Sequence, residues 1–489
     1  MRVVRNTQMQ IGEIDVSQIK FDLRSRDDIP KVLRGLQHLY MNKTLREQVF
    51  ALLEREIAPG KNKRNGRPGM TLWRILVLGV LRLDLNIDYD RLLELSNQHR
   101  TLRQMLGHGL FDENKVYAYQ ALVDNVGLLT PELLDKLNQL IVTGGHVLVK
   151  KHGAALRGRC DSFVVETDVH FPTDISLLWD AMRKAITLTA QWGEELHFSD
   201  WRQYRYNLRQ LKRRLRAAQQ SKRCVNTVQA SDPVIQAHQS YLKLVQYYLK
   251  KIRATLPKLI AATSTERLLR LEIEDYIRHA QRQINQIERR VIKGETILHE
   301  EKVFSIFEPH TEWVSKGKAG VPVELGVKVC ILEDQHQFIL HHHVMTKQTD
   351  TCIAVEMVTE ARKRFSSLNA CSFDKGFHSP ANQTELAQQL DQVTLPKKGK
   401  LSKERKAIEQ ADEFTKARRA HSAVESAIHA LEVHGLDKCP DHGLNGFKRY
   451  VALSVVARNI RRIGDILWQQ DVARARKANA RKQKYRRTA

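Results

Sequence analysis

Three acidic residues, in three separate blocks of sequence, carry the chemistry open to this chain. Asp161 stands in Cys160-Asp161-Ser162-Phe163-Val164-Val165-Glu166-Thr167-Asp168, whose β-branched and aromatic middle reads as a buried strand. Asp374 ends a shorter strand-like run over residues 369–373, in Phe373-Asp374-Lys375-Gly376-Phe377. Glu425 falls in Ala423-Val424-Glu425-Ser426-Ala427, within a helical pattern. A carboxylate fixed on a buried strand is expensive to desolvate unless a cation or a donor satisfies it. Three such groups on separate elements make a candidate divalent-metal site, because carboxylate oxygens are the hard ligands that Mg²⁺ takes. Other acids lie close to the first. On a strand Asp161, Phe163 and Val165 share one face while Glu166 and Asp168 share the other, so Asp168 is the alternative to Asp161. Asp174 follows Pro172 and reads as a helix cap.

The elements that must position these groups are set in a long, basic chain. Its 489 residues are enough for two or three domains, and its formal net charge of +25 is spread along the whole length. Such a surplus implies a polyanionic partner, most simply nucleic acid. The six cysteines form no CxxC or zinc spacing and read as reduced thiols of a cytoplasmic protein. Residues 1–10 are polar and lack the apolar core of a secretory signal. The most apolar run, residues 72–85, is short and carries Arg74 and Arg82, so no membrane span is expected.

Residues 1–150 read as an all-helical DNA-binding or dimerisation domain. Residues 29–57 have a helical period, and Thr71 is placed to cap the next helix. Between them runs a basic, glycine-containing linker with Lys63, Arg64 and Arg67. Residues 88–97 and 101–106 fit either a helix-turn-helix or part of a plain helical bundle. After the Asp161 strand comes a helical insertion, about residues 176–300. Between Trp201 and Ala230 it carries nine Lys or Arg, Arg213 and Arg214 among them, and no acid. Solvated helix faces mix signs, so this run suggests a phosphate-tracking surface, with an ordinary solvated helix as the alternative. Stripes over residues 242–256 and 273–291 predict an antiparallel helical hairpin.

From residue 300 the period becomes strand-like. Residues 323–332 and 337–345 form an expected hairpin; a helix over 351–365, the strand at 369–373, a helix over 380–390 and a strand at 392–395 follow. Long helices are expected over 406–432 and 447–467, and residues 471–489 as a basic disordered tail. This order describes a mixed sheet with helices on both faces, spanning residues 151–470, and matches the order of RNase H-like folds.

At the level of motifs the chain resembles the insertion-sequence DDE transposases, closest to the ISNCY group of bacterial elements. The likeness rests on Gly66-Arg67-Pro68, on residues 161–174 ending in His170-Phe171-Pro172-Thr173-Asp174, and on Lys316-Gly317-Lys318 with Pro322-Val323-Glu324-Leu325-Gly326. It continues through Phe373-Asp374-Lys375-Gly376-Phe377, His421-Ser422-Ala423-Val424-Glu425-Ser426 and His434-Gly435-Leu436-Asp437. It implies an RNase H-like core with Asp161, Asp374 and Glu425 as both catalytic and metal-binding residues. It also implies two Mg²⁺ ions, with Mn²⁺ able to substitute, and double-stranded DNA, both element ends and target, as substrate. A homodimer on paired ends and a location in the bacterial cytoplasm at the nucleoid follow from the same likeness. Where related enzymes place a Tyr and an Arg before the glutamate and a Lys after it, this chain has Arg418, His421 and Glu432. Phosphate contacts would then rest on Arg418, Arg419 and His421, with Lys397 and Lys398 as further DNA contacts by charge. The insertion after the first strand is also a departure, because better-known members carry theirs before the final catalytic helix.

Two other readings remain beside the enzyme: a non-catalytic DNA-binding protein or regulator of the element ends, and a stand-alone nuclease of the same fold. His341-His342-His343 offers only two same-face ligands on a strand and reads as a hairpin surface. No Gly-x-x-x-x-Gly-Lys phosphate loop is present, which disfavours an ATP-driven motor.

Overall fold

A computed structural model describes residues 2–5, 8–59, 69–109, 111–112, 114–149, 154–223, 232–315 and 322–488. By contacts the chain divides into two compact units, Met1–Asp168 with Val314–Ala489, and Val169–Trp313.

The first unit opens with seven helices: α1 (Ile29–Met41), α2 (Lys43–Ile57), α3 (Leu72–Asp84), α4 (Tyr89–Gln98), α5 (Arg100–Met105), α6 (Tyr119–Val126) and α7 (Pro131–Val149). The single helix expected over residues 29–57 is two. Asn42 adopts an extended conformation and its side chain accepts from the Leu45 N–H, ending one helix and capping the next. Thr71 occupies the cap position of α3 without a side-chain bond. Helices α4 and α5 are separated by His99 alone, and α5 has only six residues with Leu102 and Met105 buried. The turn of three or four residues that a helix-turn-helix needs is absent there.

Strand β1 (Leu156–Thr167) then leads into the second unit, four long helices: α8 (Asp174–Glu195), α9 (Tyr204–Arg223), α10 (Asp232–Thr255) and α11 (Ser264–Ile287). The cap of α8 is Thr173 in a reciprocal pair with Ser176, so Asp174 is a first-turn residue, ion-paired to Arg290 at 2.7 Å. The core of this unit includes Leu178, Met182, Trp192, Trp201, Tyr241 and Ile273. Helix α11 packs chiefly on α8, and α10 chiefly on α9. The expected α10–α11 hairpin is thus not the main pairing, because both apolar stripes find a wider partner in the helices before them.

The chain returns to the first unit within β2 (Glu312–Ser315) and continues through β3 (Val323–Asp334), β4 (Ile339–Met345), α12 (Asp350–Arg364), β5 (Leu368–Phe373), α13 (Pro380–Gln389) and β6 (Gln392–Thr394). After these come α14 (Lys403–Gln410), α15 (Asp412–His421), α16 (Ala423–Leu431), β7 (Lys438–Cys439) and α17 (Gly443–Thr488). The seven strands form one mixed sheet in the order β2-β3-β1-β5-β6, with β4 on β3 and β7 on β1. Strand β1 is antiparallel to β3 and parallel to β5. The fold is therefore mixed α/β. The long helix expected over residues 406–432 is broken at Ala411 and Ser422 into α14, α15 and α16.

One hydrophobic core runs through the seven N-terminal helices, the sheet and α17. Helix α17 is the common element, packing on α1, α3, α7 and β4. The Asn459 side chain donates to Asn138 Oδ1 (2.7 Å) and to the Ile339 carbonyl (2.9 Å), and accepts from the Ile339 N–H (3.0 Å). Residues 471–489, expected as a disordered tail, continue α17 as far as Thr488. No Gly or Pro interrupts residues 465–488, and Ala, Arg, Lys and Gln favour the helix. Asp471 also ties it to Arg34 of α1 at 2.9 Å.

Helices α1 and α17 cross backbone to backbone. A Cβ on Gly464 would lie 2.0 Å from the Lys31 carbonyl oxygen, and one on Gly35 2.2 Å from that of Ile460. Gly464→Ala is expected to force the helices apart and destabilise the chain by about 3 kcal/mol. Urea denaturation checks this, and a midpoint unchanged from the unmodified chain would contradict it.

Candidate active site: an acidic cluster on the sheet

Side chains alternate along β1, so Arg157, Arg159, Asp161 and Phe163 share a face of the sheet. The parallel register with β5 sets Arg159 opposite Ser372 and Cys160 opposite Phe373. One further rung brings Asp161 opposite Asp374, which lies just beyond the end of β5, is exposed, and leads the short turn Lys375–Phe377. Asp161 is mid-strand rather than at the strand's start, because β1 begins at Leu156. Helix α16 packs on β1 and carries Glu425, exposed, in its first turn. Helix α15 lies over β5 and β6 and ends at His421, whose Nδ1 is 3.0 Å from Ser372 Oγ. The break at Ser422 lets these two short helices follow the sheet closely enough to bring both His421 and Glu425 to it.

Electrostatics shows how near these groups are. Burial pushes the Asp161 carboxyl up to about 6, and the negative charges of Asp374, Asp350 and Glu425 add to the rise. The Ser162 N–H, donating to Asp161 Oδ1 at 2.8 Å, opposes it. His421 is lowered by burial and by Arg159, against the pull of Asp374 and Glu425. Asp161, Asp374, Glu425 and His421 thus form one electrostatic neighbourhood. Among the described residues, however, no three His, Cys, Asp or Glu side chains close into a metal-holding group. The carboxylates gather without converging on one point.

Asp350 was not singled out by the sequence. It begins α12, where it accepts from Ser162 Oγ (2.6 Å) and pairs with Lys328 Nζ (3.1 Å). Ser162 points to the face opposite Asp161, so Asp350 buttresses the strand from behind. Thr349-Asp350 has the look of any helix start, and only the sheet register links it to Asp161. The alternative first aspartate, Asp168, lies past the end of β1, exposed and paired to Lys438 at 2.6 Å. It is not among the charges that act on Asp161.

The basic candidates are dispersed. Arg418 and Arg419 are exposed in the last turn of α15, three and two residues before His421. Lys398 is exposed; Lys397 is half-buried with its N–H bonded to Glu409. Arg213 and Arg214 are exposed on α9, in the second unit, opposite the buried Leu211 and Leu215. Lys63, Arg64 and Arg67 lie outside the described residues, as do Gly66-Arg67-Pro68 and Lys316-Gly317-Lys318. The triple-histidine strand is not the hairpin surface expected: His341 is buried and accepts from Arg364 (3.0 Å), and the half-buried His343 bonds Gln348 (2.8 Å), because β4 packs against α7, α12 and α17.

The raised Asp161 carboxyl makes a stability prediction for the metal-free protein. Its folded value of about 6 exceeds the unfolded 3.8, so the folded state binds the extra proton. This contribution is present below pH 4 and is lost as pH rises to about 6. Asp161→Asn keeps the acceptor for Ser162 and removes the charge. In EDTA it is expected to be more stable than the unmodified chain above pH 6, by roughly 1–3 kcal/mol, and equal to it near pH 4. Denaturation at both pH values checks this; a difference that does not change with pH would contradict it.

The site and sheet define a mixed α/β protein with an acidic cluster where the middle of β1 meets the end of the parallel strand β5. The chain matches no protein-family model, and no curated protein or solved structure matches it at a significant level. Among the described residues no helix is long and apolar enough to cross a membrane.

Proposed function

We propose that this chain is a metal-dependent DNA transposase of the insertion-sequence DDE type, with an RNase H-like catalytic core. The observation that carries the reading is the β1–β5 register, which sets Asp161 across from Asp374 with Glu425 in the same charge neighbourhood. The residues fit divalent cations: the donors are carboxylate oxygens, and Asp161 is raised by burial and, after that, by the charges of Asp374, Asp350 and Glu425, all of which a cation would offset. Asp161, Asp374 and Glu425 would hold two Mg²⁺ ions, or Mn²⁺ in their place. Bound there, the ions would supply an activated water or 3′-hydroxyl and stabilise the leaving oxygen.

The protein's own groups have separate tasks. Without metal, Asp161 is anionic above about pH 6, so acidification below that value sets a proton in competition with the cation. Burial favours the neutral form of His421, and Ser372 Oγ holds its Nδ1 at 3.0 Å. Arg418 and Arg419 are placed to hold the DNA backbone beside them. Duplex element ends and target DNA would be the substrates, a homodimer on paired ends the working form, and the bacterial cytoplasm at the nucleoid its location.

A non-catalytic DNA-binding role is the second reading, favoured by the lack of a closed three-ligand group among the described residues. Incubation with duplex DNA taken from the sequence flanking the gene separates the two. Mg²⁺-dependent nicking at the element ends, with strand transfer to a second duplex, is the expected result. Specific binding with no cleavage in Mg²⁺ or Mn²⁺ would leave the second reading standing, and cleavage with no transfer would point to a nuclease.

A further inference from the structure

Beside the acidic cluster the sheet and α15 enclose a cavity of about 460 Å³. That is within the size of small-molecule sites, roughly 300–1,000 Å³. It exists because the side chains that face it are small: Ala370 and Ser372 on β5, and Ala417 and Ala420 on α15. Its rim is cationic, with Arg157 and Lys416 exposed at the opening and Arg159 half-buried and held by Glu333 at 3.2 Å. Glu413 is the one acid on the wall, and Gln392 and Thr394 add neutral polar groups. Arg157 is well anchored. The Gln335 side chain accepts from its N–H (2.7 Å) and donates to the Ala155 carbonyl (3.0 Å), clamping the start of β1.

The cavity continues the face that bears the acids. Arg157, Arg159 and Asp161 are successive same-face residues of β1, so Arg157 is ~13 Å along the strand from Asp161. Ser372 joins the two regions, since it lines the cavity and bonds His421. A phosphate at the opening would meet two cations that have no partner among the described residues, and the Ala walls would receive a flat, largely apolar ring.

We propose that this cavity binds one nucleotide, its phosphate on Arg157 and Lys416 and its base between the sheet and α15. Such a nucleotide is either free or a unit of the DNA strand that passes the acidic cluster. Only the second source rests on the proposed function, and the site needs neither metal nor cleavage.

The test titrates the full chain, in EDTA, with thymidine 5′-monophosphate, thymidine, and a short single-stranded thymidine oligonucleotide. The monophosphate is expected to bind at least ~10-fold more tightly than thymidine, and Arg157→Ala and Lys416→Ala each to weaken it by about 10-fold. Both residues are exposed, so these variants keep the fold. Ala417→Leu fills the cavity without changing charge and is expected to abolish monophosphate binding. If it also weakens the oligonucleotide, the occupant is a unit of a DNA strand; if only the monophosphate is lost, the occupant is a free nucleotide. Either result supports the site. Monophosphate binding that Ala417→Leu leaves unchanged, or no binding to the unmodified chain, overturns it. Loss of cleavage activity with nucleotide binding intact would count against the proposed function alone.

Discussion

Asp374→Asn and Glu425→Gln are each expected to lower Mg²⁺-dependent cleavage of element-end DNA by at least ~10³-fold. Both residues are exposed, so neither substitution opens a void or strands a buried charge, and melting temperature should not move. Each removes one anionic oxygen donor from a cluster whose members act as a unit. The double variant should therefore be little worse than either single one. DNA binding should hold or tighten slightly, since a negative charge near the phosphates is lost. Asp350→Asn should fall between, with a decrease on the order of 10-fold, because it bonds Ser162 and acts on Asp161 through its charge without lying on the same face of the strand. Gel shift and denaturing-gel cleavage on one set of samples separate these effects. Equal activity in Glu425→Gln and the unmodified chain would remove α16 from the site.

The largest loss of stability is expected from Arg461→Ala. Arg461, 6% exposed on α17, donates to Asp84 of α3 at 3.0 Å and to Asp465 at 3.1 Å, and it also bonds Asp28 at the start of α1. Asp84 is 1% exposed, and burial pushes its carboxyl up to about 7 even beside the guanidinium. The same carboxylates hold Arg461 above its ordinary value, so the guanidinium stays charged and it is the aspartate that bears the desolvation. Without Arg461 the buried Asp84 has no counter-charge, and a loss of about 3–5 kcal/mol is expected. The sign with pH follows from the raised carboxyl. The variant can hold Asp84 protonated at low pH but loses stability as pH rises above 4, so its deficit should be larger at pH 8 than at pH 5. Arg461→Lys should restore part of it. Urea midpoints at the two pH values check this, and a deficit that shrinks with rising pH would contradict it.

Much of the sheet was legible because its strands carry strong local signals. The hairpin of β3 and β4, strand β5 ending just before Asp374, and α12 and α13 all fall within a residue or two of the expected bounds. Asp161, Asp374 and Glu425 stand out in the sequence as charges set against apolar periodicity, and the fold brings them into one charge neighbourhood. What local signals did not carry was long-range. Asp350 meets Ser162 across 188 residues, through a bond that depends on the β1–β3 register and the path of α12. The sharing of one core between the N-terminal helices and the sheet depends on α17, whose Asn459 and Arg461 read as unremarkable helix residues. Breaks at Asn42, Ala411 and Ser422 were missed because no Gly or Pro marks them. The tail was misjudged because charge density suggested disorder, while its Ala, Lys, Arg and Gln content favours helix.

Manganese titration of the metal-free chain, followed by electron paramagnetic resonance, bears most directly on whether the three acids act together. The unmodified chain should take up Mn²⁺ at neutral pH and release it on acidification below about 6, where protonation of Asp161 competes with the cation. Asp161→Asn, Asp374→Asn and Glu425→Gln should each weaken that uptake, by about 10-fold or more. Uptake of equal strength in all three variants, or none in the unmodified chain, would contradict a shared cation site.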